Sequence, residues 1–152
     1  MSIIIALVAL LFLMVTQTQS YAVESIKLSG RNLTWFNPNP YTWTAPSGVV
    51  WNDKSARHFK EQENASGLSI DVPGVALPNR KTLKGWWRIT LPDGRVVVTQ
   101  QVDIGPRGKG VLDLNAALAS QFYDGPKNVT GKWSAIYLGK ELPKDISSGE
   151  QK

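Results

Sequence analysis

VVVTQQVDIGPRGKGVLDLNAALASQF, residues 96–122, is the stretch on which the fold turns. Val96–Val102 is rich in β-branched residues, as strands prefer. It runs into Asp103-Ile104-Gly105-Pro106, where Gly and Pro force the chain to turn. A short basic, Gly-rich loop follows, and then Val111-Leu112-Asp113-Leu114-Asn115. Asn115 is a good N-cap, so a short helix is predicted over Ala116–Phe122, with Leu118 and Phe122 on one face. Few residues support that helix, so packing must hold it.

Immediately upstream, Trp86–Leu91 is a second strand, joined to the first by Pro92-Asp93-Gly94-Arg95. Pro presets φ there and Gly accepts a positive φ, which predicts a hairpin. Trp86 and Trp87 must face opposite sides of that strand. Downstream, Gly131–Leu138 alternates, with Trp133, Ala135 and Tyr137 on one side, and reads as a closing strand. The chain of 152 residues carries 13 Gly and 9 Pro. That density suits many short strands and excludes long helices, so the chain is expected to be mainly β. Trp51–Ser66 is polar and reads as a long surface loop. Residues 140–152 turn polar and read as a disordered tail.

The strand, the Asp-X-Gly-Pro step and the apolar-Asp-Leu-Asn step into an Ala-rich helix resemble the double-psi β-barrels. They are most similar to the rare-lipoprotein-A-like family, related to expansins and to barrel-type lytic transglycosylases. Lys81-Thr82-Leu83 and the Asp93-Gly94-Arg95 turn are similar to the family in order and spacing. Leu33-Thr34-Trp35-Phe36 and Thr44-Ala45-Pro46-Ser47-Gly48 resemble its opening strand and its Thr-Ala-(Ser/Asn)-Gly step, with Pro46 inserted. The resemblance spans residues 33–139 and implies a six-stranded double-psi β-barrel with one or two short helices. It also implies an action on cell-wall glycans. Two family positions differ: Arg80 stands where a His is usual, and Val49 where a Glu is usual.

Asp103 is the candidate catalytic residue. A carboxyl half-shielded at a strand end has a raised pKa, which suits a general acid. Ordinary glycoside hydrolysis needs two carboxylates. A lytic transglycosylase needs one, because the muramyl 6-hydroxyl supplies the nucleophile from within the substrate. The other role open to Asp103 is capping the turn at Gly105. Asp113 is the second carboxylate in reach; the alternative for it is to steady the approach to the helix N-terminus. Arg80 and Arg107 suit contacts to anionic or hydroxylated substrate groups. The resemblance places Thr44 beside Asp103, as a hydrogen-bond donor to it. Among six Trp residues, Trp43 is expected at the surface as a sugar platform, and Trp133 and one of Trp86 and Trp87 in the core.

Ile3–Val15 is an uninterrupted apolar run, and Ser20 and Ala22 supply small residues before a cleavage point. This is the pattern of a secretory signal peptide over residues 1–22, with the barrel domain over 23–139. The run is short for a membrane span, although an uncleaved anchor is the alternative. Net charge is +5. A basic exported protein attracts anionic polymers. The charge is scattered, so nucleic acid is not the expected partner. With no Cys and a single His58, thiol, zinc and triad chemistry are set aside, and no cofactor or metal is expected. The expectation is therefore a monomeric, exported protein that binds or remodels cell-wall glycan, without stable membrane insertion after cleavage. Two versions stay open: a lytic transglycosylase-like enzyme, or a non-catalytic expansin-like binding or partner-binding barrel.

Overall fold

The structure, a computed structural model, describes residues 25–37, 43–51, 64–105 and 110–146. The expected signal segment and Arg107 lie outside the described residues, as do His58 and the end of the tail.

The chain is mainly β. Six strands close a barrel: β1 (Lys27–Phe36), β4 (Gly74–Leu77), β5 (Trp86–Thr90), β6 (Val96–Ile104), β7 (Val111–Asn115) and β8 (Val129–Gly139). Two short strands, β2 (Trp43–Thr44) and β3 (Val50–Trp51), pair as a separate ribbon. Around the barrel the order is β1-β7-β4-β6-β5-β8. Exchanging β1, β4 and β5 for β6, β7 and β8 leaves this circular order unchanged, read in the opposite sense. The exchange also carries the parallel pair β1–β7 onto the parallel pair β6–β4. The barrel is thus two equivalent halves, and each of the two parallel pairs takes one strand from each half, which is the double-psi arrangement expected from the sequence.

Alternation explains the interior. Leu33, Val75, Leu77, Ile89, Leu112, Leu114 and Ala135 point inward and are buried. Each such large apolar side chain contributes roughly 1.5–3 kcal/mol on burial, and Ala135 less. Trp87 is fully buried while Trp86 is half-exposed, so the adjacent pair splits as the strand period demands. Trp133 and Tyr137 join the core from β8, and Trp87 meets the Tyr137 ring at 5.1 Å. The β5–β6 hairpin forms as predicted, with Gly94 at φ 88° and Leu91 N–H bonded to the Arg95 carbonyl.

Two elements differ from the sequence reading. The helix α1 covers only Ala116–Ala119, capped by the Asn115 side chain on Leu118 N–H. Beyond it, Phe122 N–H and Tyr123 N–H both reach back to the Ala119 carbonyl, so the chain tightens and leaves the helix early. The second difference is at the ends of the expected loop over residues 51–66. Trp51 is fully buried, edge-on to Trp35 at 5.1 Å between ring centres. Asn64 and Ser66 are buried as well, and Asn64 Nδ2 donates to the Leu68 and Ser69 carbonyls. Polar residues there satisfy backbone groups instead of facing water.

Segment 64–73 then folds across the outside of the barrel. Leu68 and Val72 pack on a second apolar cluster of Phe36, Ala76 and Val102. Ser66 N–H donates to the Val102 carbonyl and Thr99 Oγ1 to the Pro73 carbonyl, pinning the segment at two points.

Candidate functional site around Asp103

Strand β6 carries Val97, Thr99 and Gln101 toward the interior. The pairing with β4 then shifts: Val75 faces Gln101, but Ala76 faces Asp103. Val102 is the extra residue of a bulge, a device that re-aims the side chains after it. The bulge turns Asp103 to the outer face, at the edge of the second apolar cluster.

Asp103 is half-buried there. Its Oδ1 accepts from Ile104 N–H at 2.7 Å and from Ala65 N–H at 3.3 Å. Its Oδ2 has no partner among the described residues. Burial pushes its pKa above the usual carboxylate range, and the two backbone N–H groups only partly oppose that. The carboxyl is therefore held by one oxygen and keeps its proton to higher pH than a free Asp. Oδ1 thus accepts backbone N–H groups at the strand end, as a cap does, but from Ile104 and Ala65; Gly105 N–H donates to the Leu77 carbonyl instead.

Ala76 sits between two aspartates. It pairs with Asp103 of β6 on one side and with Asp113 of β7 on the other, and Asp113 pairs in turn with Thr34 of β1. Strand spacing puts the two aspartate Cα atoms about 10 Å apart. Thr34 Oγ1 donates to Asp113 Oδ1 at 2.7 Å. Ala76 itself is buried under Leu68 and Val72, so apolar side chains fill the face between the carboxyls.

Gln101 is the residue that sequence reading passed over. It is fully buried, and its Nε2 donates to the carbonyls of Leu77, Asn79 and Asp103. Its Oε1 accepts from Thr82 Oγ1 at 2.6 Å. One side chain thereby joins the end of β4, the 3-10 turn Arg80–Thr82 and the Asp103 backbone. The signal in the sequence is Thr99-Gln100-Gln101, a polar run between Val96-Val97-Val98 and Val102 of one strand.

Arg80 lies on that turn, one residue from the Asn79 carbonyl held by Gln101. Thr44 is exposed on β2 and makes no bond to Asp103. Trp43 is half-buried; its indole N–H donates to Asp71 Oδ1 at 3.3 Å. The ring lines a cleft of about 420 Å³ with Pro46, Asp71, Pro73, Ser120 and Gln121. Asp103 is not among that cleft's residues. Gln101 thus links the Arg80 turn to the Asp103 backbone, and Trp43 stands in a cleft of its own. Among the described residues no group of acidic or His side chains is placed to hold a metal.

No known protein family, curated protein or solved structure matches this chain.

Proposed function

We propose that the protein is exported and binds or remodels a cell-wall glycan such as peptidoglycan, with Asp103 as its acid and base. The observation that carries this reading is the state of Asp103: a half-buried carboxyl with a raised pKa, clamped by Oδ1 and with Oδ2 unpartnered among the described residues. A protonated Asp103 would donate to the glycosidic oxygen as the bond to the anomeric carbon breaks. The substrate's own 6-hydroxyl then attacks that carbon, and the Asp103 carboxylate takes the hydroxyl proton. One group completes the cycle, and the products are a free chain end and a 1,6-anhydro sugar. Single-carboxyl chemistry suits this face better than a two-carboxylate hydrolysis. Asp113 is engaged by Thr34, and apolar side chains separate it from Asp103.

A second reading is a barrel that grips glycan without cutting it. The Trp43 cleft favours it, since an indole ring beside Asp71, Ser120 and Gln121 combines a stacking surface with hydrogen-bonding groups. One experiment separates the two. The protein is incubated with purified peptidoglycan, and both pelleting and release of anhydro-muropeptides are measured. Release that disappears in Asp103→Asn while pelleting persists supports the enzyme. Pelleting without release by the wild type ends it, and no pelleting ends the glycan reading.

A further inference from the structure

On the side of the barrel away from Asp103, β1, β8 and β5 run side by side. In the circular strand order these three stand opposite β6, β4 and β7, which carry Asp103, Ala76 and Asp113. Leu28, Ala135 and Ile89 of this sheet turn into the core, so their neighbours in sequence turn outward. Ser29 pairs with Ser134, and Ser134 pairs with Thr90. Three hydroxyl side chains thus form one transverse row on the outer face. They floor a cleft of about 550 Å³ that Arg31 and Lys132 flank. Two residues along each strand, Lys27 and Arg88 both pair with Ile136, adding two more cations to the same face.

We propose that this face is a binding track for an anionic polysaccharide. Four cations stand on three adjacent strands, and none of their charged groups has an ion pair or hydrogen bond among the described residues, where the ion pair formed is Arg95–Asp93. That pair already engages Asp93, the carboxylate of the β5–β6 turn, so it does not neutralise the face. Unpaired like charges on one sheet repel each other and gain most from a ligand that brings several anions at once. Lys27 and Arg31 are four residues apart on one strand, about 13 Å, which spreads the charge along a line and not at a point. The hydroxyl floor donates to acid groups and exchanges hydrogen bonds with sugar hydroxyls. A nucleic acid would want a stacking surface for its bases. The aromatic residue at this cleft, Trp133, is buried and donates its indole N–H to the Gly110 carbonyl, so it offers none.

This assignment does not depend on the chemistry at Asp103. It is tested by binding of the protein to polygalacturonate and dextran sulfate, with neutral dextran as reference. Binding to both polyanions, falling steeply as salt is raised, and no binding to dextran is the expected result. Arg31→Gln combined with Lys132→Gln should weaken polyanion binding about tenfold at low salt. Lys81→Gln with Lys84→Gln removes the same charge elsewhere and should change it less than about twofold. Circular dichroism should be the same for all. Ser134→Asp puts a carboxylate in the floor and should abolish binding without removing any cation. No polyanion binding by the wild type overturns the proposal. So does an equal loss in the Lys81 and Lys84 control, or equally tight binding of a single-stranded oligonucleotide.

Discussion

The Ala65 backbone N–H donates to Asp103 Oδ1 at 3.3 Å, tying the covering segment 64–73 to the end of β6. The adjacent Ser66 N–H bonds the Val102 carbonyl, so the bulge on β6 is held from outside by two consecutive residues. Asp103→Ala removes the acceptor for both Ala65 and Ile104 and should cost about 1–2 kcal/mol. Asp103→Asn keeps an oxygen at Oδ1 and should stay within about 0.5 kcal/mol of the wild type in acid. Denaturant midpoints of the two variants check this.

The raised pKa of Asp103 has a definite sign in stability. The folded protein holds that proton more tightly than the unfolded chain, whose Asp titrates near about 3.9. The contribution is therefore complete below the unfolded value and is lost as pH rises through the higher folded value. Asp93 behaves oppositely, because its bonds with Arg95 hold its pKa down; its contribution is lost as pH falls. Wild-type stability minus that of Asp103→Asn should thus decline from pH about 3 upward and then level off. A difference that rises with pH over that range would contradict the burial argument.

From inside the barrel wall Gln101 Nε2 shares its two hydrogens among three carbonyls, and Oε1 accepts from the Thr82 hydroxyl. Gln101→Met keeps the volume but removes the amide that donates to the Leu77, Asn79 and Asp103 carbonyls, while Thr82 Oγ1 keeps the Asn79 carbonyl as its acceptor. The expected loss is about 2–3 kcal/mol, seen in the denaturant midpoint. The turn at Arg80 should loosen with it, giving faster amide exchange at Thr82 and Leu83.

Gly30 and Gly125 provide a matched pair. A Cβ on Gly30 would collide with the Gly110 carbonyl oxygen, only 2.1 Å away, which also accepts from Arg31 N–H, Asn32 N–H and Trp133 Nε1. Backbone cannot yield there, so Gly30→Ala should cost about 3 kcal/mol or more. Around Gly125 nothing lies within 4 Å of the same atom. Gly125→Ala should be neutral or stabilise by about 0.5 kcal/mol. Thermal melts of both report the contrast.

Trp43 is the aromatic surface of the 420 Å³ cleft. Trp43→Ala should weaken pelleting with peptidoglycan by about 1 kcal/mol, or roughly fivefold, if sugar rings stack there. Release of anhydro-muropeptides at saturating glycan should be unchanged, because Trp43 is not part of the Asp103 neighbourhood. Trp43→Phe should recover most of the binding.

Much of the barrel was legible from local chemistry. The Pro92-Asp93-Gly94 turn set the β5–β6 hairpin, and Asn115 capped α1, because both depend on residues a few positions apart. The alternation of Trp133, Ala135 and Tyr137 marked the inner face of β8 for the same reason. Asp103 stood out because it ends an apolar strand at a Gly-Pro step. What its neighbours would be was not legible. Ala65, Ala76 and Gln101 meet Asp103 through a bulge and a parallel pairing between strands far apart in sequence. The burial of Trp51 and the row of Ser29, Ser134 and Thr90 have the same origin. Turn and cap preferences are written in single residues and short spacings. Strand partners are chosen by closure of the barrel, where one register satisfies every backbone group and every inward side chain at once.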